Sequence, residues 1–300
     1  MENLISHYSF KFNLHNAIFT HIEHKDAMVA VVYKVVLPDG SRSILKICPR
    51  DEDYHREVYF LQFFSKLIRV PKIIKIEPPF KGIYGGILME YLPGSVLTHN
   101  ELTENLAFEI GAMLACIHLN RTSSYGDLTQ PYHLTCDPKT PLRIKFKEGL
   151  SECRGHLSQG IIDQIQGYYD SHENIINYVD GPCIIHRDFR PGNILVKNKK
   201  LLGIIDWASA RSSFAEEDFC ALELNEWSSN SKIKASFLDG YASIRPIPNY
   251  TQLMPLLLMA RSIAIIGYTI KKGTWNSMDS LIHNKNLEYI KKLLVTSDGQ

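Results

Sequence analysis

The stretch Pro182–Val196 reads PCIIHRDFRPGNILV, and shortly after it Leu201–Ala208 reads LLGIIDWA. Three apolar runs, 183–185, 194–196 and 201–205, have the length of short buried strands. A loop with Pro191 and Gly192 separates the first two, and the turn Lys197–Lys200 separates the last two. Asp188, Asn193 and Asp206 therefore fall at strand edges, where a rigid core can hold polar groups in fixed geometry. Alone, each would read as an ordinary turn former. Together they suit phosphoryl transfer. A hard cation such as Mg²⁺ wants a few fixed oxygens and leaves room for phosphate and water, which points to Asn193 and Asp206. A reacting hydroxyl needs a carboxylate beside it, which points to Asp188. His186 has apolar neighbours and no Cys or His at ligand spacing, so it reads as a structural brace for the loop.

Further out, Lys46 lies inside the strand-like run Ile44–Cys48. A lysine among apolar residues needs a partner, and the acidic segment that follows offers two, Glu52 and Glu57. Glu57 is preferred because it precedes Leu61 by one helical turn inside an amphipathic stretch. A strand lysine held by a helix glutamate is the pair that positions nucleotide phosphates.

Residues 17–24, 29–37, 43–47, 70–76 and 83–91 alternate or run apolar as strands, with Pro38-Asp39-Gly40 as a turn, and predict a five-stranded, antiparallel sheet with one helix. From Thr98 the period becomes helical. Thr98-x-x-Glu101 reads as a capping box, with Leu106, Ile110, Met113, Leu114 and Ile117 on one face. Residues 120–140 read as loop, 143–179 as two helices broken near 158–160, and 217–228, 231–244, 252–271 and 283–294 as four more. The fold class is thus α+β, with a sheet-rich lobe over 1–92 and a mostly helical lobe over 93–300.

Hydrophobic residues make up 45% of the 300, charged residues 22%, and the formal net charge is +1, which argues against a broad nucleic-acid or membrane partner. Cysteines 48, 116, 136, 153, 183 and 220 are scattered with no Cys-x-x-Cys, and read as reduced core residues of a cytoplasmic protein. The N-terminus lacks the basic-then-apolar run of a signal peptide. The most apolar stretch, 253–270, contains Pro255 and Arg261 and reads as a buried helix.

On these residues the chain resembles the aminoglycoside phosphotransferase and choline kinase-like family, which has a protein-kinase-like two-lobe fold. His186-x-Asp188-x4-Asn193 matches the catalytic-loop pattern of protein kinases, while Ile204-Ile205-Asp206-Trp207, Leu114–His118 and Phe237–Tyr241 are similar to the antibiotic-kinase branch. Asp206 is followed by Trp207-Ala208, not Phe-Gly, and no Ala-Pro-Glu follows, which sets the chain apart from protein kinases proper. The resemblance implies ATP and Mg²⁺ as cofactors, a small-molecule hydroxyl as acceptor, and a hinge at Met89, Glu90 and Tyr91 whose backbone meets the adenine. It implies Asp218 as the residue that fixes the loop behind the metal-binding strand. Arg190, two residues after Asp188, is expected to neutralise charge on the transferred group. The loop at residues 25–29 is expected to cover the phosphates, although it carries no glycine. A protein kinase and a catalytically silent nucleotide- or metabolite-binding module stand as the alternative readings.

The acceptor is less legible. From residue 222 on, six acids (Glu223, Glu226, Asp239, Asp279, Glu288, Asp298) meet nine lysines and arginines, so the lobe expected to bind the acceptor is not acidic. That balance is unlike a pocket for a polycationic aminoglycoside. Glu223, Glu226 and Trp227 share one expected helix near the metal strand and are the candidate acceptor residues.

Overall fold

The computed structural model describes residues 2–22, 30–224 and 230–297. After helix α1 (Glu2–Phe12) come β1 (Ile18–His21), β2 (Val31–Val36), β3 (Arg42–Cys48), α2 (Asp51–Phe64), β4 (Ile73–Glu77) and β5 (Gly85–Glu90). The five strands form one antiparallel sheet in the order β1-β2-β3-β5-β4. The five antiparallel strands and helix α2 match the sequence expectation; α1 is an addition. Its Tyr8 and Phe12 pack with Leu14 on Tyr33, Val35, Leu45, Ile47 and Leu88, closing one face of the sheet. Strand alternation explains the division of labour. Leu45 and Ile47 point to α1, so Lys46 between them points to the opposite face.

On that opposite face α2 joins the second, larger core. Phe60 and Phe64 lie against the fully buried Trp207, with ring centroids 6.3 and 4.5 Å away. That core is built mainly by α3 (Glu104–His118), α4 (Lys139–Cys153), α5 (Gln159–His172), α6 (Phe219–Leu224), α7 (Ser231–Ala242), α8 (Met254–Lys272) and α9 (Ser280–Ser297). Two small antiparallel sheets carry the functional loops. One is β6 (Ser95–Val96), β8 (Ile194–Lys197) and β9 (Lys200–Ile204), and the other pairs β7 (Cys183–Ile185) with β10 (Arg211–Ser213).

The Thr98–Glu101 box closes one turn only. The Glu101 carboxylate accepts from the Thr98 amide (3.2 Å) and hydroxyl (2.7 Å), but α3 starts later and is capped by Thr103, whose hydroxyl accepts from the Leu106 amide. The apolar face expected of this helix is buried except for the half-buried Met113. Helices α3 and α7 cross at glycines. A Cβ on Gly111 would stand 1.9 Å from the Phe237 carbonyl oxygen, and one on Gly240 would stand 2.0 Å from that of Phe108. Helix α8 is apolar and long enough to cross a membrane by composition, yet 61% of its apolar window is buried inside the protein, as a core helix. Cys48, Cys153, Cys183 and Cys220 are buried as expected; Cys136, between Thr135 and Asp137, is exposed and departs from the core reading.

Candidate active site

Strand β7 delivers the loop expected to be catalytic. Beyond Ile185 the chain turns sharply, with Arg187 at φ 66°, a left-handed conformation uncommon for a side chain of this size. Such a residue costs on the order of 1–3 kcal/mol and persists only where its surroundings over-determine it. Here they do. The Asp218 carboxylate accepts from the His186 amide (2.8 Å) and the Arg187 amide (2.5 Å). Asp218 is itself held by His118 Nε2 at 3.0 Å, and His118 Nδ1 meets the Tyr241 hydroxyl at 2.9 Å. A carboxylate only accepts, so Nε2 carries the proton and the Tyr241 hydroxyl donates to Nδ1. Burial pushes the His118 pKa below its ordinary value and keeps the ring neutral.

Inside the loop, Asn193 Nδ2 donates to the Asp188 backbone oxygen and to its Oδ2, both at 2.8 Å. Arg190 Nε donates to the same Oδ2 at 3.0 Å. His186 is fully buried, with Nε2 3.1 Å from the Ile205 carbonyl and its ring 4.7 Å from that of Trp207. It braces the loop as expected but is only half satisfied, since its buried Nδ1 has no partner among the described residues.

Lys46 reaches across from the sheet. Its ammonium donates to Glu57 Oε2 at 2.8 Å and to Asp206 Oδ1 at 2.7 Å. Glu57 is thus the partner on α2, and Glu52 is exposed. Burial works against the lysine's charge, but Asp206 and Glu57 outweigh it and hold the pKa above the usual lysine value. Lys46 in turn holds the Asp206 carboxyl below the usual carboxylate range, while burial pushes Glu57 up. Asp206 also sits at φ 66°, the second strained non-glycine position in this cluster. Sequence reasoning missed Arg56, one residue before Glu57. It donates to Asp53 Oδ1 (2.7 Å), Asp127 Oδ2 (2.9 Å) and the Ala208 carbonyl (2.5 Å), tying α2 to the chain just after Asp206.

The arrangement fits a magnesium ion. Asn193 spends its amide nitrogen on Asp188, which leaves its side-chain oxygen, not its nitrogen, as the atom that could ligate a cation. The Asp206 side chain is 44% exposed and engages Lys46 through one oxygen only. Among the described residues no group of three His, Cys, Asp or Glu gathers as a cage. A cation here would take its remaining oxygens from phosphate and water.

The hinge residues divide. Met89 pairs with Ile44, which places it on the sheet face that bears Lys46, whereas the Glu90 side chain is held by Arg69 at 2.6 Å and the Lys72 amide at 3.3 Å. The Glu90 amide is also committed, donating to the Lys72 carbonyl at 2.8 Å. The Tyr91 ring lies under Lys34 and Arg42, 5.4 and 5.8 Å from its centroid. The register adds Val32, opposite Lys46, and Ile44, opposite Lys34, to the same face. Of the candidate acceptor residues, Glu223 is paired with Lys234 at 2.6 Å, and Glu226 and Trp227 lie outside the described residues, as does the loop at 25–29.

A family model described as the phosphotransferase enzyme family matches residues 29–256. Curated proteins give no significant match by sequence. Among solved structures, a thermostable mutant of aminoglycoside phosphotransferase APH(4)-Ia in ternary complex with AMP-PNP and hygromycin B aligns at TM-score 0.71 and 11% identity, covering 97% of this chain and 99% of that one. The gentamicin–APH(2")-IIa complex aligns at TM-score 0.68 and 16% identity over 97% and 95%. The GDP and kanamycin complex of APH(2")-IIia aligns at TM-score 0.70 and 11% identity over 97% and 99%. At such identities the likeness is one of fold, which is protein-kinase-like, and does not fix an acceptor. The family match spans most of the chain, including Lys46, Glu57, Asp188, Asn193 and Asp206, and on it the chain belongs to the phosphotransferase enzyme family.

Proposed function

We propose that the chain moves the γ-phosphate of ATP to a hydroxyl group of a small molecule in the cytoplasm. The observation that carries this reading is that the Lys46–Glu57–Asp206 group and the Asp188–Asn193 pair are tied together where the Ile205 amide, next to Asp206, donates to the Asn193 backbone carbonyl at 3.0 Å. Asp188 orients the acceptor hydroxyl and takes its proton as the new oxygen–phosphorus bond forms and the bond to ADP breaks. Asn193 and Arg190 fix the carboxylate for that task. Lys46, held by Glu57, meets the α and β phosphates, and the adenine rests on the face of Val32, Ile44 and Met89 against the backbone of Glu90 and Tyr91. Mg²⁺ on Asp206 and the Asn193 carbonyl would neutralise phosphate charge. Arg190 lies close enough to Asp206 to act on its ionisation, which supports a role in balancing charge on the transferred group. Most of the rate enhancement is then positioning and electrostatics. The six free thiols, four of them buried, are in keeping with a reducing compartment.

The test is ATP consumption across amino alcohols, sugars, hydroxy acids, sugar phosphates, aminoglycosides and macrolides. Asp188→Ala is expected to lower kcat by about 10²–10⁴-fold while nucleotide affinity is kept. Full turnover by that variant, or no phosphate transfer to any acceptor, sinks the reading.

A further inference from the structure

Three arginines gather around Asp188 and the loop that carries it, with too few carboxylates among the described residues to match them. Arg261 projects from α8 and brings Nη2 to 3.7 Å from Asp188 Oδ1. Arg187 follows His186 in the loop, and its nearest acid is Glu217, at 3.8 Å. Arg211 opens β10, directly opposite Ile185. Neighbouring acids are already committed. Asp188 is bonded by Arg190 and Asn193, Asp127 by Arg56, Glu148 by Lys145, and Glu217 also accepts from the Ser213 hydroxyl. The Nε–H groups of Arg211 and Arg261 are buried with no acceptor among the described residues.

A buried guanidinium N–H without an acceptor is costly, and a part-exposed arginine with such an Nε is completed when a ligand supplies one. Burial and the nearby charge of Arg187 push the Arg211 pKa down to about 9, and Arg261 and Arg56 act on Arg187 in the same sense. Arg261 meets Asp188 at Oδ1, the oxygen that Asn193 and Arg190, both on Oδ2, do not engage.

We infer that the acceptor carries an anionic group, a carboxylate or a phosphate ester, which Arg261 and Arg187 receive while its hydroxyl meets Asp188. Planar guanidinium groups bind such anions in pairs of hydrogen bonds. A polycationic acceptor would meet like charge at this place. Only the identification of the anion's bearer as an acceptor rests on the phosphotransferase reading; the anion site itself does not.

The experiment loads the protein with Mg²⁺ and a non-hydrolysable ATP analogue, so that the nucleotide site is filled, and titrates it with inorganic phosphate, malonate and kanamycin. Saturable binding of phosphate or malonate is expected, and the stronger of the two names the anion class. Arg261→Gln and Arg187→Gln should each weaken that binding at least about tenfold, a loss of one charge-assisted contact. Arg261→Gln should also melt at an equal or higher temperature in phosphate-free buffer, which a merely packed arginine would not do. No saturable anion binding, binding unchanged in both variants, or tighter binding of kanamycin than of either anion overturns the inference. Failure of every alcohol to take phosphate in the presence of a working anion site would instead strike the phosphotransferase reading.

Discussion

His118 shows what one side chain can do two steps away from the chemistry. It fixes Asp218, and Asp218 fixes the strained backbone of Arg187 beside Asp188. Because burial lowers its pKa below 6.5, the unfolded chain binds a proton that the folded chain refuses. The stability from this source is complete above about pH 6.5 and declines as pH falls below it. The melting temperature should therefore drop more steeply from pH 7.5 to 5.5 in the wild type than in His118→Gln. Parallel slopes would show that the ring is not kept neutral. Comparing the two chains removes the effect of Glu216, whose carboxyl burial raises to about 7 and which acts with the opposite sign. Asp188, Asn193, Asp206, Lys46 and Glu57 were legible in the sequence because each is a polar group out of place beside an apolar run. Arg261 was equally out of place in an apolar helix, but its partner lies 73 residues earlier in the chain, and no local spacing joins them.

At the scale of elements, strand periodicity reached the five strands, and the turn Pro38–Gly40 reached the β2–β3 hairpin. Neither reached the placing of β5 between β3 and β4, which no local turn sets. Helix α1 escaped because its apolar residues read as a helix only once the sheet face they cover is known. The start of α3 was misplaced by five residues or so because Thr98–Glu101 and Thr103 are both competent caps, and the burial of Leu106 and Ala107 selects the second. The crossing of α3 and α7 was invisible for another reason: glycines look alike in sequence whether they turn a chain or admit a neighbour. At Gly111 the space is taken by the Phe237 carbonyl. Gly111→Ala should destabilise by about 1–3 kcal/mol through overpacking, against the gain in helix propensity. Chemical denaturation reads this directly, and a variant as stable as wild type would mean the two helices can separate freely.

Across the whole molecule, the sheet and the helical part are joined at the candidate site itself. Lys46 spans from β3 to Asp206, Arg56 from α2 to Asp127 and Ala208, and Phe60 and Phe64 close over Trp207. Removing one partner of a buried pair costs roughly 3–5 kcal/mol. Lys46→Met should lose that much, less what Glu57, 2% exposed, recovers by taking up a proton. Adding Glu57→Leu should restore most of the stability and none of the nucleotide affinity. Urea midpoints and nucleotide titrations separate the two quantities, and a single variant as stable as wild type would show the ion pair to be idle. The same junction lends the protein an optical handle. Of the two described tryptophans Trp207 is wholly enclosed and Trp275 is 38% exposed, so in a Trp227→Phe background blue-edge indole emission would originate next to Asp206 and track whether α2 stays seated against it.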